Sequence, residues 1–210
     1  MRGLASPLPD FFCKLSEPGR SNIVVMAETL DDEALVARFN QGDESVFEQI
    51  VQEYSANVAG LANRLLGWPG EVDDITQDVF VAAYLGLKNF RCECSLKTWL
   101  FTITVNKCRS YKYRRLLRIR VISRAGSKVV LARHRAADKA AMDSETFDRV
   151  RRAVVALPAK YRELVVLRYL QELSTSDICR VLGISRNLLQ VRLNRAKKRL
   201  RQELMDLMEQ

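Results

Sequence analysis

A chain of 210 residues that is 48% apolar can bury a core in one or two compact domains. With 9 glycines, 5 prolines and 8% aromatic residues it lacks the composition of a turn-rich β-sandwich, and an all-α fold is expected. No apolar run approaches the roughly 18–20 residues that cross a bilayer, and the N-terminus has no charged-then-apolar-then-small leader, so a cytoplasmic protein without membrane insertion is expected.

The net charge of +9 is sorted along the chain. Residues 1–93 carry 7 basic and 15 acidic side chains, a net of −8. Residues 94–137 carry 12 basic and no acidic ones, and residues 138–210 carry 15 basic and 10 acidic, a net of +5. An acid-free basic stretch concentrates positive potential for a polyanion, and the acidic first third suits a second partner with a basic surface. The five cysteines are odd in number and fit reduced thiols. Cys92-x-Cys94 lacks the four ligands of a structural zinc site, since His134 is the only histidine, and no metal or cofactor is expected.

In chain order, residues 1–28 hold three prolines and no helical period, and read as a disordered extension in which Met26 is an alternative start. Asp31-Asp32-Glu33 places acids in the first turn of a helix carrying Leu35, Val36 and Phe39 and ending at Gly42. A second helix runs from about Glu44 to Leu66, with Phe47, Ile50, Val51, Tyr54, Val58, Leu61 and Leu65 at three- and four-residue spacing. Gly67–Gly70 is a turn, a third helix covers about Val72–Leu87, and Asn89–Ser95 is a loop. A fourth helix starts near Leu96 and continues into the basic run Arg109–Arg120. Periodicity lapses over 121–143. It returns at Ser144–Leu157 and Tyr161–Gln171, followed by two helical segments around Gly183.

Leu173–Ser185 reads as the first half of a helix-turn-helix. Ser174 can cap a helix with Asp177 reaching back, Ile178 and Leu182 share a face, Gly183 can turn the chain in the left-handed region, and Ser185 can cap the next helix. Leu189, Leu193, Ala196, Leu200 and Leu204 then form an inward stripe. From Ser185 to Gln202 there are seven basic residues and no acid, as a recognition helix requires. Arg186, Asn187 and Gln190 stand where base edges are read, and Arg192, Arg195, Lys198 and Arg199 where phosphates lie.

Two separate segments resemble the extracytoplasmic-function (ECF) sigma factors of the sigma-70 family. Ala156-Leu157-Pro158 with Arg162-Glu163 and Leu167-Arg168, followed by the helix-turn-helix, is similar to sigma region 4. Gly42-Asp43 with Phe47, then Asp73-Asp74-Ile75-Thr76-Gln77-Asp78, then Phe90 to Leu100 with Ile103 and Asn106, resembles sigma region 2. The resemblance implies an all-α chain of two helical domains: an extension over 1–28, region 2 over 29–118, a flexible basic linker over 119–143 and region 4 over 144–208. It implies no catalysis, but binding to core RNA polymerase, through the coiled coil of the β′ subunit and the flap of the β subunit, and to promoter DNA. An anti-sigma protein is the usual control.

The same resemblance assigns roles. Asp73, Asp74, Gln77 and Asp78 would grip the polymerase. Phe90, Ser95 and Lys97 would border a base flipped from the −10 element, and Asn106, Lys107, Arg109, Lys112, Arg114 and Arg115 would follow that strand. Ser185, Arg186, Asn187, Gln190, Arg192, Asn194, Arg195, Lys198 and Arg199 would meet the −35 duplex. Trp99 is expected in the core beneath the melting loop. The sequence departs from the family pattern at Leu188-Leu189-Gln190-Val191, at Ser110 and Lys112, and at Cys92 and Cys94. An operator-binding regulator would share the helix-turn-helix but not the acidic segment 73–80. A hydrolase would need more than the clustered Asp73, Asp74 and Asp78.

Overall fold

The computed structural model describes residues 24–67, 71–124 and 144–208, and every element among them is helical. In chain order these are α1 (Val24–Asn40), α2 (Ser45–Leu66), α3 (Val72–Leu87), α4 (Leu96–Arg124), α5 (Ser144–Ala156), α6 (Ala159–Val165), α7 (Thr175–Leu182) and α8 (Arg186–Met208), with a π-helical turn over Val166–Leu170. The all-α, two-unit expectation holds. Residues 1–23, the tip of the 67–70 turn and residues 125–143, with most of the expected extension and linker, lie outside the described residues.

The first unit is α1–α4. Val46, Ile50, Tyr54, Val58, Leu61 and Leu65 of α2 lie three or four apart and face Ile75, Val79, Ala83 and Leu87 of α3 and Leu100, Phe101 and Val105 of α4. Full burial of each such Leu, Ile or Phe contributes about 1.5–3 kcal/mol, so this interface stabilises the unit. Phe47, expected inward, is half-buried at the rim, and Val46 takes the core position.

Two expected boundaries shift. Helix α1 starts at Val24, so Asp32 lies within it and not in its first turn. Asp32 is 4% exposed, and its carboxylate accepts from the Leu96 N–H at 2.7 Å. It therefore satisfies an orphan donor of α4, across 64 residues, beside Ser95, whose hydroxyl accepts from the Thr98 N–H at 3.2 Å. The expected helix Tyr161–Gln171 is α6 followed by the π-helical turn. Arg168, in that turn, donates to the Leu173 carbonyl at 3.0 Å and fixes the approach to α7.

The two units share one continuous core along a seam where α4 meets α7, and α2 meets α5 and α6. Gly67 ends α2 with φ 81°, and a Cβ there would stand 3.1 Å from the Val155 methyls of α5, so any other residue would strain this backbone and crowd that contact. Arg162 of α6 spans the seam. It donates to the Leu65 carbonyl at 2.9 Å and to the Val155 and Leu157 carbonyls at the end of α5, satisfying helix-terminal acceptors with a cation.

Candidate nucleic-acid interface

The helix-turn-helix forms as its residue types require. Ser174 accepts from the Asp177 N–H at 3.1 Å and donates its own hydroxyl proton to the Asp177 carboxylate. Asp177 thus reaches back to the cap hydroxyl. Gly183 has φ 64°, and the Ile184 N–H closes onto the Cys179 carbonyl at 3.0 Å, ending α7. Ser185 accepts from the Leu188 N–H at 3.3 Å and starts α8.

Leu189, Ala196 and Leu200 are buried, with Leu193 half-buried beside them, and fix α8 to α5 and α6. Arg186, Asn187, Gln190, Asn194, Arg195, Lys198 and Arg199 are exposed, as is Ser185, while Arg192 is half-buried on a flank. The Arg199 guanidinium carbon lies 5.3 Å from the Tyr161 ring centroid, so the cation is held over an aromatic face. Charge and position on α8 fit a major-groove helix: amide and guanidinium groups at its N-terminal end, clustered cations further along.

The −10 candidates divide by position. Phe90 and Trp99 are half-buried against the core with ring centroids 4.9 Å apart, and Gly86 gives Trp99 room, since a Cβ there would lie 3.2 Å from the indole. Ser95 caps α4, and the half-buried Lys97 stands 6.0 Å from the Phe101 ring. Asn106 and Arg114 are exposed, Arg115 is half-buried, and Lys107 lies 3.9 Å from Asp78. Arg109 and Lys112 instead face the second unit. Arg109 forks onto Glu163 at 3.1 and 2.7 Å. Lys112 donates to the Leu65 carbonyl at 2.7 Å. Burial, reinforced by the Arg162 guanidinium, lowers the Lys112 pKa to about 8, and the Glu163 hydrogen bonds raise that of Arg109.

Asp73, Asp74, Gln77 and Asp78 are all exposed on one face of α3. That face continues one and two turns on as Val81 and Leu85, 60% and 72% exposed, beside Tyr84. With Phe47, Gln77 and Phe80 these residues line a shallow apolar groove. Only the acidic half of this face stands out in the sequence by charge, although Gln77, Val81 and Leu85 at four-residue intervals carry the signal for the rest. Glu163 and Arg162 stand in the sequence only as part of the region 4 resemblance, and their contacts across the seam have no local signature. Cys92 and Cys94 are half-buried in the loop before α4 with their thiol pKa values raised, chiefly by burial, so neither is an activated thiolate.

Two family models match in chain order: sigma-70 region 2 over residues 50–117 and sigma-70 region 4 over residues 147–200. The ECF RNA polymerase sigma factor SigW of Bacillus subtilis is 29% identical over 179 residues, 82% of this chain and 96% of that protein. The ECF RNA polymerase sigma-E factor of Haemophilus influenzae is 29% identical over 190 residues, 87% of this chain and all of that protein. Among solved structures, CnrH in complex with the cytosolic domain of CnrY superposes with a TM-score of 0.60 at 29% identity, over 84% of this chain and 97% of that one. The sigma factor RpoE of Bartonella quintana, solved with the anti-sigma factor NepR, shares the fold at a TM-score of 0.60 and 24% identity, over 76% and 96% of the two chains. With both regions in order on separate helical units, and relatives of one class matched over nearly their whole length, the chain belongs to the extracytoplasmic-function sigma factors of the sigma-70 family.

Proposed function

We propose that this chain is an alternative sigma factor whose α3 docks core RNA polymerase, whose α4 and preceding loop hold the melted −10 strand, and whose α8 reads the −35 duplex. The single observation that carries this reading is the sorting of charge over two helical units. Four exposed polar and acidic side chains share one face of α3, and α8 exposes a face rich in arginine, lysine and asparagine. In this reading Asp73, Asp74, Gln77 and Asp78 meet the β′ coiled coil, and region 4 meets the β flap. Phe90, Ser95 and Lys97 border the pocket for an extruded base. Asn106, Lys107, Arg109, Lys112, Arg114 and Arg115 follow the strand. The −35 set runs from Ser185 to Arg199. Residues 29–118 form the region 2 unit and 144–208 the region 4 unit, joined by 119–143.

No described helix is long and apolar enough to cross a membrane, and a cytoplasmic site of action belongs to the proposal. So does a dedicated protein partner, supported by the likeness to CnrH, which was solved with a second protein bound. The test is capture of core polymerase by the full chain, followed by run-off transcription on genomic fragments. Stable capture with discrete transcripts is the expected result, and a chain that fails to bind core overturns the reading.

A further inference from the structure

We infer that Val191 reads a thymine in the −35 element through the thymine 5-methyl group, with Leu188 beside it. The inference rests on the assignment of α8 to that duplex. It starts from where Val191 stands. Leu189 is 3% exposed and points into the core. At 3.6 residues per turn Val191 lies about 200° further around the helix, on the opposite side. Its neighbours at four residues before, three and four after, and seven after are Asn187, Asn194, Arg195 and Lys198, all exposed. Val191 is 47% exposed and Leu188 is 38% exposed. The centre of the outward, cation-lined face of this helix is therefore apolar.

Charge and shape name the occupant. Arg195 and Lys198, one and two turns after Val191, suit phosphates along a groove wall, and the apolar strip beside them faces the groove floor. An amide or guanidinium there would read hydrogen-bonding edges, whereas a valine has no donor or acceptor. The one apolar group that a base pair presents in the major groove is the thymine methyl. Covering that methyl removes two apolar surfaces from water together, and a buried carbon of this size changes affinity by about fourfold.

Deoxyuridine differs from thymidine only in lacking this methyl, and it supplies the test. Holoenzyme reconstituted from core polymerase and the full chain would first select its preferred −35 sequence from a duplex library randomised at that element. Each thymine of the selected duplex, on either strand, would then be replaced singly by deoxyuridine, and binding measured with the wild-type chain and with Val191→Ala. Melting curves of the two chains would verify equal folding. The expected result is about fourfold weaker wild-type binding at one or two adjacent positions, with that sensitivity abolished by Val191→Ala and unchanged at other positions. Selection of a −35 sequence without thymine, uracil tolerated at every position, or equal sensitivity in both chains overturns the assignment while leaving −35 binding in place. Holoenzyme that selects no −35 sequence and leaves that element unprotected overturns the −35 reading itself, a separable outcome.

Discussion

Arg109 of α4 and Glu163 of α6 are joined by two parallel hydrogen bonds across the seam, 54 residues apart in sequence, with the glutamate side chain 11% exposed and the arginine 43% exposed. The acid therefore occupies a guanidinium that the −10 strand would also claim. A compact chain of this length has a radius of gyration of about 17 Å, hence a width of roughly 45 Å. Elements named −10 and −35 lie about 25 base pairs apart, about 85 Å of duplex at 3.4 Å per step. On the proposed reading the seam-closed molecule is too short to reach both elements, so the seam would part on the promoter. Glu163→Gln, which keeps the shape and removes the charge, should loosen it. The free chain would then bind a −10 single strand more tightly than wild type, and energy transfer between dyes on α3 and α8 would fall. Unchanged transfer with unchanged strand affinity would contradict this account of the seam.

Lys112 shows a conflict between folding and binding. Its ammonium lies among Arg162, Glu163 and Cys108, and the Leu65 carbonyl it serves has a second donor in Arg162 at 2.9 Å. Lys112→Met should therefore raise Tm, because it removes a buried cation without orphaning the acceptor, and should weaken −10 strand binding. The pH dependence follows from a folded pKa of about 8 against the ordinary lysine value of 10.5. Below pH 8 both states hold the proton and the full burial cost is present. Between 8 and 10.5 only the unfolded state holds it, and wild-type stability rises with pH. The Tm advantage of Lys112→Met is thus greatest below pH 8 and shrinks as pH climbs towards 10.5. An advantage that grows with pH would refute this.

Asp32 is a buried polar side chain of the first unit that accepts from the N-terminus of α4, the helix to which the proposed function assigns the −10 strand. Asp32→Ala leaves the Leu96 N–H buried without that acceptor and should cost about 2 kcal/mol in denaturant unfolding, with Asp32→Asn recovering part of it. Equal stability of wild type and Asp32→Ala would show that water replaces the carboxylate freely.

How much of this was legible in the sequence depended on whether the causes were local. The caps Ser174 and Ser185, the turn at Gly183 and the stripe from Leu189 to Leu200 act within a few residues, so spacing alone revealed them. Asp32 looked like a first-turn acid because sequence carries no sign that its helix begins at Val24, nor that its carboxylate meets Leu96. Arg109 and Lys112 looked like free cations because their partners, Glu163 and Leu65, lie 54 and 47 residues away. Long-range pairing is set by how helices cross, which periodicity does not encode.

Arg186 and Arg199 lie at different depths of the same helix and should fail differently. Arg186 is exposed at the first position of α8, where a guanidinium can fork onto a guanine edge. Arg199 lies more than three turns later, over Tyr161, where the proposed reading puts a backbone phosphate. Arg186→Ala should change which −35 sequences are selected, at a cost of about 1–3 kcal/mol on the preferred one. Arg199→Ala should weaken all sequences alike and lower the slope of log K against log salt by about 1, because one fewer phosphate is neutralised. Glutamine at 199 keeps length without charge, so it should reproduce the salt-slope change if charge is the cause. A salt slope unmoved by either substitution at 199, or altered sequence preference from both, would mean that the division of α8 into a base-reading end and a phosphate-holding end is wrong.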